Sequence, residues 1–121
     1  MSQETILIVE DSATDMRMVT ASLQGTGHNI ITAVDGEEAI LKARKEHPSL
    51  ALLDVILPGR NGFQVCRELK TSPETKDIPV IIISSKNQES DRFWGMKQGA
   101  VEYLTKPFGE AELLAAVARH I

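Results

Sequence analysis

Four polar groups, each directly after an apolar run, carry the chemistry available to this chain. Glu10-Asp11 follows Ile6-Leu7-Ile8-Val9, and Asp54 follows Leu50-Ala51-Leu52-Leu53. Ser84 follows Val80-Ile81-Ile82-Ile83, and Lys106 follows Val101-Glu102-Tyr103-Leu104-Thr105. Carboxylates brought close together repel and need protons or a cation. Hard oxygen ligands with room for water suit Mg²⁺, which takes one or two carboxylates plus a phosphate. A metal and Lys106 would neutralise charge on a moving phosphoryl group, and a carboxylate can attack phosphorus to give an aspartyl phosphate.

Positioning these groups demands a particular scaffold. The three continuous apolar blocks read as parallel strands covered on both faces. Asn29-Ile30-Ile31-Thr32 is a short strand candidate, and residues 101–105 alternate apolar with polar as edge strands often do. Between them lie helical patterns. The first opens at Ser12 with Asp15 three residues on, a capping-box-like start, and aligns Met16, Val19 and Leu23. The second runs from about Gly36 to Glu46 before Pro48. The third aligns Phe63, Cys66 and Leu69 and ends before Pro73. The fourth covers Glu89 to Gln98, with Gly99 as a left-handed cap, and the last carries Leu113, Leu114 and Val117.

Five strands alternating with five helices predict an α/β fold: a (βα)5 doubly wound parallel sheet, flavodoxin-like, in the order 2-1-3-4-5. That order puts the two weaker strands at the edges. It also lines Glu10, Asp11, Asp54, Ser84 and Lys106 along one sheet edge, where such folds concentrate function. With strands about 4.8 Å apart, Asp11 and Asp54 are expected as near neighbours, and Lys106 starts roughly 10 Å from Asp54.

Bulk properties narrow the class. The chain has 121 residues, 42% of them apolar, 25% charged, and a formal charge of −4, which fits one domain over residues 1–121 and argues against a nucleic-acid or anionic-membrane surface. One cysteine, Cys66, precludes an internal disulfide. No signal peptide or membrane-spanning run is visible, so a cytoplasmic protein is expected.

Together the motifs resemble the receiver-domain (response-regulator, CheY-like) family over essentially the whole chain. They are Ile6-Leu7-Ile8-Val9-Glu10-Asp11, Leu53-Asp54-Val55-Ile56-Leu57-Pro58-Gly59 with Asn61-Gly62-Phe63, Pro79 to Ser85, Gly99-Ala100, and Tyr103 to Phe108. The resemblance implies a two-component switch in which Asp54 takes a phosphoryl group from a histidine kinase. It implies Mg²⁺ on Glu10, Asp11, Asp54 and the Ile56 carbonyl, with Glu10 acting through water. Lys106 and Ser84 would contact the phosphoryl group, and Tyr103 would be the aromatic switch. A cis Lys106–Pro107 peptide and a downstream protein partner on the fourth helix, fifth strand and fifth helix also follow, in a monomer or weak dimer without turnover of its own. Glu10 stands where aspartate is commoner, Ser84 where threonine is, and Gly109 where an acidic cap is frequent. Gln88-Glu89-Ser90-Asp91, Trp94-Gly95 and Gln98-Gly99-Ala100 further resemble single-domain regulators of type IV pilus (twitching) motility.

Blander readings exist for single residues. Asp11 and Asp54 alone would be helix-capping acids, Lys106 a solvated lysine, and Ser84 or Ser85 turn residues. Tyr103 alone would be packing, Cys66 a small core residue, and Trp94 either packing or a partner anchor. Competing functions are an aspartate-based phosphatase, disfavoured by Ile56 where a second acid would stand, and a phosphorylation-independent interaction module. A nucleotide domain is disfavoured by the lack of G-x-G-x-x-G or a phosphate-binding loop.

Overall fold

The computed structural model describes residues 4–121. Its five strands are β1 (Thr5–Val9), β2 (Asn29–Ala33), β3 (Leu50–Asp54), β4 (Val80–Ser84) and β5 (Glu102–Thr105). They form one parallel sheet in the order β2-β1-β3-β4-β5. Each is followed by a helix: α1 (Ala13–Gln24), α2 (Gly36–Glu46), α3 (Gly62–Thr71), α4 (Glu89–Lys97) and α5 (Glu110–His120). The expected doubly wound architecture is the observed one.

Side-chain alternation splits each strand between two cores. Ile6, Ile8, Leu50, Leu52, Ile81, Ile83 and Leu104 pack with Val19 and Leu23 of α1 and with Leu113 and Val117 of α5. Leu7, Val9, Ala51, Leu53, Val80, Ile82 and Tyr103 pack on the other face with Ala39, Ala43, Val65 and Leu69 of α2 and α3. Every residue of β3 and β4 is buried, so truncating one of their leucines or isoleucines to alanine costs about 2–5 kcal/mol.

Local chemistry explains most helix ends. Asn61 and Gln64 cap α3 reciprocally, and the Asp35 side chain accepts from Glu38 N–H at the start of α2. Gly99 adopts φ +106° beyond α4, which ends one residue before the expected Gln98. Gly109 begins α5 with no side-chain cap. Two expectations need correction. Tyr103 and Leu104 of β5 are both buried, on opposite faces, because flanking helices cover this edge strand and override the simple in-out alternation. The capping box of α1 is only half made: Ser12 Oγ accepts from Asp15 N–H, but the Ser12 N–H donates to Glu10 Oε2.

Candidate functional site

Strand register decides which sequence-adjacent acid meets Asp54. Val9 pairs with Leu53, so the next pair along is Glu10 and Asp54, with Asp11 one step beyond. Glu10 and Asp54 continue the rows of Ile6-Ile8 and Leu50-Leu52, and Lys106 continues the row of Leu104, all on the α1/α5 face. Three residues from three strands therefore emerge on one side of the sheet edge. The backbone holds the last of them: Lys106 N–H donates to the Ser84 carbonyl at 2.8 Å, and the Lys106–Pro107 peptide is cis, as the resemblance implies.

The Lys106 ammonium is the centre of the cluster. Its Nζ donates to Asp54 Oδ2 at 2.9 Å, to Glu10 Oε1 at 2.8 Å and to Asp15 Oδ2 at 2.7 Å. Glu10 is 1% exposed and Asp54 4%, so both charges lie out of water and depend on this cation. Burial, and to a lesser degree the Asp54 carboxylate beside it, push the Glu10 carboxyl up to about 7, against the pull of Lys106 and the Ser12 N–H. Burial draws Lys106 down, but its three carboxylate partners outweigh that and hold it above the ordinary lysine range.

Asp15 was not recognisable as part of this cluster from sequence. It reads as a helix-capping acid, and Lys106 is 91 positions away. Ser84, by contrast, falls in the row of the opposite sheet face. It is fully buried in the row of Val80 and Ile82, on the Tyr103 face, and its Oγ accepts from Lys86 N–H at 3.1 Å. Ser85 is the exposed serine, and it lines a cleft of about 770 Å³ with Asp15, Met18, Lys106, Phe108 and Leu113. Tyr103 is 6% exposed, donates its hydroxyl to the Lys86 carbonyl at 2.7 Å and lies under Arg92, 5.6 Å from the ring centroid. Burial raises its phenol, offset in part by the neighbouring Ser84 hydroxyl.

The expected metal ligands are Glu10, Asp11, Asp54 and the Ile56 carbonyl. Among the described residues, no three His, Cys, Asp or Glu side chains converge as a cage. Glu10 and Asp54 share one ammonium, whereas Asp11, one residue further along the chain, is exposed. The Ile56 N–H donates to Asp54 Oδ1 at 3.2 Å, and its side chain is 53% exposed. The donor set nevertheless fits a hard divalent cation: two buried carboxyl groups, Glu10 and Asp54, and a third acid, Asp11, at the rim.

Stability should carry that signature. A carboxyl raised from 4.5 to about 7 keeps a proton in the folded chain that the unfolded chain has released. Its contribution is therefore fully favourable below about 4.5 and is lost as pH rises to about 7. Urea unfolding without metal should show the protein weaker at pH 8 than at pH 5 by an amount of order 2 kcal/mol after allowing for other groups. Glu10→Gln should flatten that slope, and an unchanged slope in this variant would contradict the assignment.

The fold and site together are those of a doubly wound α/β domain with buried carboxylates and a lysine on the carboxyl edge of its sheet. The response regulator receiver domain family matches residues 6–118. Over 112 residues the chain is 47% identical to protein PilH of Pseudomonas aeruginosa, covering 93% of each. Among solved structures it superposes on the Vibrio cholerae chemotaxis protein CheY4 with TM-score 0.92 and 29% identity, covering 99% of this chain and 100% of that one. It also resembles the receiver domain of the sensor histidine kinase PA1611 of Pseudomonas aeruginosa (TM-score 0.90, 28% identity, 98% of each chain), which was solved with magnesium in its active-site cleft. The chain belongs to the response regulator receiver domain family, and it is a receiver of two-component signalling. Among the described residues, no helix is long and apolar enough to cross a membrane.

Proposed function

We propose that Asp54 is the phosphoacceptor of this receiver and that its partner in charge is Lys106. An Asp54 carboxylate oxygen bonds to the phosphorus of a kinase phosphohistidine as the P–N bond breaks and its electron pair returns to the imidazole. The observation that carries this reading is the Lys106 ammonium held 2.9 Å from Asp54 and 2.8 Å from Glu10 at the sheet edge. A buried cation already aimed at the nucleophile needs little reorganisation as negative charge arrives. Glu10, Asp11, Asp54 and the Ile56 carbonyl would hold Mg²⁺, which would neutralise the transferring group.

Ser84 and Tyr103 would form the relay. Recruitment of the Ser84 hydroxyl toward a phosphoryl group would break its bond with Lys86 N–H and loosen the loop carbonyl that Tyr103 holds. The resulting shift would reach α4, β5 and α5, where Phe93, Trp94 and Met96 stand 62%, 50% and 47% exposed, and would bias a protein partner's binding there. We read the protein as one cytoplasmic receiver domain over residues 1–121, a monomer or weak dimer, acting as a switch without turnover of an external substrate. Its resemblance to twitching regulators supports a role in type IV pilus motility.

Incubation with acetyl phosphate and Mg²⁺ tests the acceptor. The wild type should gain one phosphoryl mass and Asp54→Ala should gain none; an equal gain in both would refute the reading.

A further inference from the structure

The three partners of Lys106 differ sharply in what it costs to release them. An ammonium has three donors, and here all are spent, on Glu10, Asp15 and Asp54. A phosphoryl group arriving on Asp54 can gain a Lys106 hydrogen bond only if one carboxylate gives its own up. The Glu10 side chain is 1% exposed, so releasing it would leave a buried carboxylate that must take up a proton or stand uncompensated. The Asp54 side chain, 6% exposed, gives up its carboxylate charge on becoming an acyl phosphate and keeps the ammonium beside the group it carries. The Asp15 side chain is 35% exposed and lies in the first turn of α1, at the mouth of the cleft. Water can take over its hydrogen bonds, and the N-terminal end of the helix already favours its charge.

We propose that Asp15 is a positioning residue that holds Lys106 in the unphosphorylated state and yields its place to the phosphoryl group. It acts through Lys106 and sets a threshold, because each phosphoryl group competes with it for the ammonium. The proposal rests on Asp54 as phosphoacceptor. Removing the negative charge at Asp15 frees one Lys106 donor in advance, so a phosphoryl mimic on Asp54 gains the ammonium without competition. For a partly exposed ion pair the expected gain is roughly threefold to tenfold in affinity.

Calorimetric titration with beryllofluoride in the presence of Mg²⁺ reads this directly. Asp15→Asn should bind the mimic roughly threefold to tenfold more tightly than wild type, with Asp15→Ser as a second neutral variant. Asp15→Glu should return to within about twofold of wild type, and in a Lys106→Met background the Asp15→Asn effect should shrink below about twofold. Without metal, urea unfolding of the same four-variant cycle should show coupling between positions 15 and 106. Unchanged or weaker binding in Asp15→Asn overturns the proposal. So does full tightening that persists without Lys106, since that is generic charge repulsion, and so does zero coupling in unfolding. If wild type binds no beryllofluoride at all, the acceptor assignment itself fails and takes this proposal with it.

Discussion

Lys106→Met should lower the rate of phosphoryl uptake from acetyl phosphate by about two to three orders of magnitude. Lys106 is the cation shared by Glu10, Asp15 and Asp54, and methionine keeps much of its apolar stem while deleting the charge. The phosphoryl group would then have to form beside buried carboxylates with no ammonium to offset its negative charge. Stability should respond as well. Removing one member of a buried ion cluster typically costs about 3–5 kcal/mol, but here protonation of Glu10, already raised to about 7, absorbs part of it. The net loss should be about 2 kcal/mol at pH 8 and smaller at pH 5. Mass spectrometry over time measures the first effect and urea unfolding the second. Uptake within about threefold of wild type would show that Lys106 is structural only.

Gly62→Ala should be the most damaging small substitution near the site. A Cβ at Gly62 would overlap the Asp54 carbonyl oxygen and stand 2.7 Å from Val55 Cα. Both obstacles are backbone, so no side chain can turn aside. The Gly62 N–H also donates to the Val55 carbonyl at 2.7 Å, which ties the start of α3 to the loop that leaves β3. An alanine must pry α3 away from the strand carrying Asp54. The expected cost is about 3 kcal/mol, a fall in Tm of roughly 10 °C, with reduced phosphoryl uptake in the fraction that folds. Calorimetry checks it, and a Tm within about 2 °C of wild type would mean that the loop relaxes at little cost.

Most of the scaffold was legible because it is encoded in runs of apolar residues. Residues 6–9, 50–53 and 80–83 are buried on both faces, and that burial alone fixes them as the central strands. The position of Lys106 followed from the same logic, since a residue just past a strand end has few places to go. Asp15 was hidden because a capping acid and a lysine partner look alike until the chain folds. Register was also out of reach: that Glu10 rather than Asp11 stands level with Asp54 depends on how β1 and β3 slide, which composition does not state. The serine pair could have been sorted by parity. Ile81 and Ile83 share a face with Ser85, whereas Ser84 falls with Val80 and Ile82 on the Tyr103 face. Trp94 proved half exposed, a consequence of a short helix whose buried position is Gly95, packed so tightly on Tyr103 that a Cβ would meet the ring at 2.9 Å.

Borohydride trapping addresses the central claim most directly. An acyl phosphate is reduced to the alcohol, so a phosphorylated aspartate becomes homoserine and can be located by peptide mass spectrometry. After treatment with acetyl phosphate and Mg²⁺, homoserine should appear at position 54 alone. Homoserine at position 11 or 15, or a phosphoryl group that resists both borohydride and hydroxylamine, would contradict the account.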